Sequence, residues 1–134
     1  MLAAYDRYWQ EQAAAYRTGS IKGTGLATYA VGDALARVKT DLASMKSLGV
    51  TASGAPRHDV RVTALDTQHA VDRATLSDCL DIAPWQRTYR ASGKAVPRAK
   101  GQLTRYTTVV KAEKWGKQWK ILSATPQTRQ CGSG

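Results

Sequence analysis

A chain of 134 residues, 43% hydrophobic and 22% charged, has the composition of one globular domain rather than of a disordered segment. No uncharged stretch exceeds ten residues, Gly23 to Gly32 being one, so none reaches the roughly 20 apolar residues of a membrane-spanning helix. The net charge of +10 is one-sided: residues 1–81 hold nine basic and nine acidic residues, whereas residues 82–134 hold eleven basic residues and one acid, Glu113.

In chain order, Leu2, Tyr5, Trp9, Ala13 and Tyr16 recur at spacings of three and four, widened by Tyr8 and Gln12, which predicts an amphipathic helix. Gly19 is its expected C-cap. Ser20 to Gly25 reads as a linker and Leu26 to Val31 as a short helix. A third helix carries Leu35, Val38, Leu42, Met45 and Leu48 on one face, with Asp33 as its expected N-cap and Gly49 as its stop. Thr51 to Pro56 is rich in turn formers.

Beyond it the period drops to two. Val60, Val62 and Ala64 alternate with Arg61, Thr63 and Leu65, the pattern of a half-buried strand. Ala70 to Leu80 alternates poorly, which suggests a bulge near Asp72-Arg73. Thr88–Arg90 and Lys94–Val96 flank a turn at Ala91-Ser92-Gly93. Tyr106, Thr108, Val110 and Ala112 form one face of a strand over 102–113. A tight connection at Lys114-Trp115-Gly116-Lys117 leads to a return strand over 118–125, which Pro126 is expected to end. Helices first and antiparallel strands second predict an α+β fold. The single domain divides into a helical part (1–49), a sheet (57–125) and a tail (126–134).

The chain has no Phe, no Asn and three Ile, which points to a GC-rich gene. Gly23-Thr24-Gly25 lacks the preceding strand and the following Lys-Ser/Thr of a phosphate loop. The only cysteines, Cys79 and Cys131, lack the spacing of a zinc site, and His58 and His69 are the only imidazoles that could activate a thiol. No cofactor or metal is expected. On the residues alone the cysteines are bonded to each other, free or reactive.

The hairpin Lys114-Trp115-Gly116-Lys117-Gln118-Trp119-Lys120-Ile121 resembles the Gly-x-Trp-x-Val/Ile ending of nuclear transport factor 2-like (SnoaL-like, cystatin-like) domains. Ala74-Thr75-Leu76-Ser77-Asp78-Cys79-Leu80-Asp81 resembles the Asp-Cys-x-Asp strand of secreted and lipoprotein members from high-GC Gram-positive bacteria, and Leu26-Ala27-Thr28-Tyr29-Ala30 also fits. The resemblance implies helices packed into the concave face of a curved sheet around a cone-shaped cavity. It also implies a Cys79–Cys131 disulfide tying the tail to the sheet. Members include isomerases, dehydratases, ligand binders and non-catalytic interaction modules, so the fold leaves function open.

In enzymes of this family an Asp base, an Asp–His pair or phenolic donors stand inside the cone. Tyr5, Tyr16, Asp78 and Tyr106 are the candidate polar residues of a cavity, with His69 and Asp81 further considered. Tyrosines at these spacings also fit a packed core, and Asp78 and Asp81 beside Cys79 fit a turn or cap. No catalytic residue is assigned. Arg105, Lys111 and Lys120 are candidates for an anion-binding sheet face, with Lys114 and Lys117 at its rim. Nucleic acid is not the expected partner, because only Trp115 offers an exposed aromatic in the basic half.

The leading expectation is a non-enzymatic extracytoplasmic binding or interaction domain. Its partner would be an anionic polymer, a protein or a small apolar ligand, and a homodimer is compatible with it. One alternative is the soluble domain of a conjugation or secretion-system component; another is a small-molecule isomerase or dehydratase using the cone. Met1-Leu2-Ala3-Ala4-Tyr5-Asp6 does not read as a signal peptide. With Gly132-Ser133-Gly134 at the other end, the expected export signal or lipobox lies outside this chain.

Overall fold

A computed structural model describes residues 1–132. Three helices precede six strands: α1 Leu2–Thr18, α2 Leu26–Tyr29, α3 Gly32–Leu48, β1 Val50–Ser53, β2 Val60–Asp66, β3 Arg73–Asp81, β4 Gln86–Tyr89, β5 Arg105–Trp115 and β6 Gln118–Gln130. The fold is α+β, with the helices packed against a curved antiparallel sheet. That sheet has the order β2-β3-β5-β6, and β1 and β4 form a separate antiparallel pair. Among the described residues no helix is long and apolar enough to cross a membrane.

The helical periods translate directly into burial. Tyr5, Tyr8, Trp9, Gln12, Ala13 and Tyr16 of α1 are buried, as are Ala34, Val38, Leu42 and Met45 of α3. They pack on Leu76, Val110, Ala112 and Ile121 of the sheet. Gly19 and Gly49 take the left-handed conformation expected of C-caps. Leu2 and Leu48, at the outer ends of the α1 and α3 stripes, are exposed. The N-cap of α3 is Val31, which has no capping side chain; Asp33 lies in the first turn, where its charge favours the helix dipole.

The strands hold several departures from expectation. Thr51 to Ser53, expected as the start of a turn region, belong with Val50 to a strand because they pair with Gln86–Tyr89, a non-local partner. Gly54 ends it with φ +76°, in van der Waals conflict with the Pro84 carbonyl if it bore a Cβ. The bulge expected near Asp72-Arg73 lies instead across the ladder, between Val62 and Ala64. β3 itself is regular: Ala74, Leu76, Asp78 and Leu80 all face inward. Its alternation looks poor in sequence only because an aspartate holds a core position. β2 is an edge strand and is not half-buried, with Val62 40% and Leu65 56% exposed.

β6 does not stop at Pro126 but runs to Gln130, shifting register against β5 between Thr108 and Tyr106. Proline is tolerated there because β6 is an edge and owes no N–H bond on its open side. Most of the expected tail is therefore strand, and its last two positions, Ser133 and Gly134, lie outside the described residues. Cys79 and Cys131 form a disulfide with Cα atoms 5.7 Å apart.

Candidate functional site

The four expected cavity residues fall into two places. Tyr5 and Asp78 belong to a closed cluster under α1, whereas Tyr16 and Tyr106 line an open cavity.

Asp78 is fully buried near the middle of the sheet and does not serve as a turn or cap. Its Oδ2 accepts the Tyr5 hydroxyl at 2.7 Å and lies 2.7 Å from His58 Nδ1; Oδ1 accepts the Asp59 backbone N–H at 3.2 Å. The chain positions His58 through its neighbours. Arg57 and Asp59 exchange backbone hydrogen bonds with Asp81 and Cys79, extending the β2–β3 ladder backward and setting the imidazole beside Asp78. The ring also packs against Trp9, 5.1 Å between centroids. Burial, and then the adjacent Asp78 carboxylate, push the Tyr5 phenol well above its ordinary range. Asp81, two residues past Cys79, does act in a turn: its Oδ1 accepts the Ala83 N–H at 3.0 Å. That bond and the Arg105 guanidinium hold its carboxyl below the usual range.

The cavity, of about 690 Å³, lies between α1, α3, β4 and the inner face of β5 and β6. This is the size of a small-molecule site. One wall is aromatic, formed by Tyr8, Trp9 and Tyr16 of α1 and by Trp85 just before β4, with Tyr106 from β5. Its α3 wall is polar: Asp33, Arg37, Thr40, Asp41 and Ser44 recur at three- and four-residue spacing. Asp41 accepts the Tyr16 hydroxyl at 2.6 Å and pairs with Arg87 at 3.1 Å. Burial, and then that hydrogen bond, raise the Tyr16 pKa. A smaller hollow of about 410 Å³ shares Trp85, Arg87 and Tyr106 with the main one.

Four buried polar atoms have no hydrogen-bond partner among the described residues: Trp9 Nε1, Gln12 Oε1, Trp85 Nε1 and Thr108 Oγ1. All four residues line this cavity. Buried polar groups are almost always paired, and leaving one unpaired costs about 1–3 kcal/mol. Neither Asp78 nor His58 is part of the cavity wall; Trp9 contacts His58 and also lines the cavity.

The basic candidates are dispersed. Arg105, Lys111 and Lys120 alternate on the outer side of the sheet, but Arg105 pairs with Asp81, Lys111 bonds Thr75 Oγ1, and Lys120 bonds the Thr28 carbonyl of α2. Lys114 and Lys117 sit at the β5–β6 hairpin end. Trp115 is exposed there, but so is Tyr89 elsewhere in the basic half. His69 is exposed beside Asp66. Sequence reasoning did not assign Gln12, Arg37, His58 or Trp85 to a site. Only the helical spacing of Tyr8, Gln12 and Tyr16 hinted that a polar residue shared the buried face. Among the described residues no cluster of three or more His, Cys, Asp or Glu side chains could hold a metal ion.

No family model and no curated protein matches the chain. Among solved structures, the intermembrane space region of the chloroplast protein ARC6 is similar in fold, with a TM-score of 0.53 at 15% identity, over 92% of this chain and 91% of that one.

Proposed function

We propose that this chain is a non-enzymatic, extracytoplasmic binding domain of the nuclear transport factor 2-like type, with its ligand site in the cavity between α1, α3 and the sheet. The observation that carries the reading is the open cavity of about 690 Å³, walled by Tyr8, Trp9, Tyr16, Trp85 and Tyr106 on one side and by polar residues of α3 on the other. A core filled for stability alone would leave no such space. The disulfide supports an oxidising compartment, and the intermembrane-space origin of the ARC6 fragment is compatible with it.

The isomerase or dehydratase alternative needs a base inside the cavity. The Asp78–His58 pair would be that base, but it lies outside the cavity wall and is occupied in joining α1 to β3. A role within a conjugation or secretion assembly is a setting in which the same cavity could act. The test is a ligand screen by thermal shift, with hits mapped by tryptophan fluorescence. Hits should stabilise the wild type and lose their effect in the Gln12→Leu/Thr108→Val variant. Turnover of a hit that is abolished by Asp78→Asn would favour the enzyme. A screen whose hits are all indifferent to the double variant would sink the cavity as the site.

A further inference from the structure

β2 is an edge of the four-stranded sheet, and among the described residues no strand pairs with its outer side. Such an edge offers a row of backbone N–H and C=O groups to another strand. Which residues offer them follows from the ladder. Arg57 and Asp59 exchange hydrogen bonds with Asp81 and Cys79, so Val60 and Val62, out of phase with them, turn their groups away from β3. The register then shifts between Val62 and Ala64, with Thr63 the extra residue. Beyond the shift Ala64 and Asp66 take the bonded phase opposite Thr75 and Arg73, and Leu65 is the residue whose groups face the open edge.

The bulge also sets the faces. Residues three apart in a regular strand point to opposite faces. Here Val62 lies opposite Leu76 and Leu65 opposite Ala74, both inward residues of β3, so Val62 and Leu65 share the inner face. They are nevertheless 40% and 56% exposed. Arg61 and Asp66, opposite Ser77 and Arg73, share the outer face. Arg61 is exposed and belongs to none of the ion pairs among the described residues. Asp66 accepts the Gln68 N–H on Oδ1 and has the exposed His69 at 3.1 Å from Oδ2, which leaves lone pairs of both oxygens open; Arg73 across from it is paired with Glu113.

This edge is complementary to itself. Lay it antiparallel to a second copy with Thr63 opposite Ala64. Val62 then meets Leu65 on the inner face and Arg61 meets Asp66 on the outer face, each twice by two-fold symmetry. Val62 and Leu65 are also the residues with outward backbone groups, so each of these pairs can exchange two hydrogen bonds. Slipping by one residue either way sets Val62 opposite the outward-facing Ala64 or Asp66. The slip that sets Val60 opposite Leu65 brings Asp59 against Asp66. We propose that β2 is a homodimer interface, in which two copies join edge to edge in the Val62–Leu65, Arg61–Asp66 register and merge their two four-stranded sheets into one. The interface is separate from the cavity and does not depend on it. A single short ladder is smaller than a standard interface, so the association is weak and belongs to high protein concentration.

The experiment is sedimentation velocity on the intact, disulfide-bonded protein from about 1 μM to about 1 mM, a range that covers weak association. The wild type should shift from monomer to dimer. Arg61→Asp and Asp66→Arg each set like charges opposite one another in both symmetric pairs, and each should weaken the dimer about tenfold or more. Mixing the two variants makes the charges complementary again and should restore a dimer containing one of each. In the wild-type dimer the Val62 and Leu65 amides should gain protection from hydrogen exchange, whereas the Arg61 amide, already bonded within the sheet, should not. A wild type that stays monomeric at about 1 mM would overturn the proposal and leave the edge to a strand of another protein. A dimer indifferent to both substitutions, or lost in both and not restored by mixing, would overturn it as well.

Discussion

Removing the Asp78 carboxylate should be among the most damaging single changes in this protein. Asp78 is fully buried, and Tyr5, whose hydroxyl it accepts at 2.7 Å, is 2% exposed. Asp78→Ala would leave that hydroxyl without its acceptor and His58 Nδ1 without its partner, while the Asp59 N–H keeps its bond to the Cys79 carbonyl. Breaking a buried hydrogen-bonded pair from one side costs about 3–5 kcal/mol. A domain of 134 residues unfolds with an entropy of about 0.28 kcal/mol/K near its midpoint, so Tm should fall by about 10–18 °C. Tyr5→Phe removes one charge-assisted bond and should cost about 1.5–3 kcal/mol. The assay is urea unfolding of wild type, both single variants and the double variant. The cycle should give a coupling energy of about 1–2 kcal/mol. A loss below about 1 kcal/mol for Asp78→Ala, or no coupling to Tyr5, would show that the cluster does not hold α1 to the sheet.

Thr108→Val replaces an unpartnered buried hydroxyl by an isosteric methyl and should raise the stability of the ligand-free protein by about 1 kcal/mol in the same assay. Reduction of Cys79–Cys131 releases a loop with a sequence separation of 52, and chain-entropy reasoning sets the loss at roughly 4 kcal/mol; denaturant midpoints with and without reductant measure it. Gly54→Ala, at φ +76° against the Pro84 carbonyl, should cost at least about 1–3 kcal/mol and first raise hydrogen exchange along β1 and β4. Burial raises the pKa of Tyr5, Tyr8 and Tyr16 above the value of about 10 they take in the unfolded chain. The stability they contribute is therefore complete below pH ~10 and is lost as the pH rises beyond it. Tyrosinate absorbance from these three should appear only with loss of near-ultraviolet circular dichroism, and ionisation of all six tyrosines near pH 10 in the folded state would contradict this.

The helices, their buried faces and their glycine stops were legible in the sequence, because a helix is made of local bonds and its apolar period is written along one segment. The α+β order and the inward face of β5 were legible for the same reason: Thr108, Val110 and Ala112 alternate cleanly. The sequence could not place what depends on a distant partner. β1 exists because β4 lies beside it, and β6 runs past Pro126 because an edge strand leaves that residue's missing N–H without consequence. Val62 and Leu65 carry a strand's apolar pattern but are exposed, since β2 lies at the sheet edge. The site depends still more on tertiary structure. Asp78 sits on an inward position that periodicity alone would assign to an apolar residue, and only the meeting of α1, the 57–59 segment and β3 supplies the Tyr5 hydroxyl and His58 that let it be buried. The cavity joins Gln12, Arg37, Trp85 and Thr108 from four separate elements or loops. Unpaired polar atoms are a property of that assembled space, and no spacing along the chain records them.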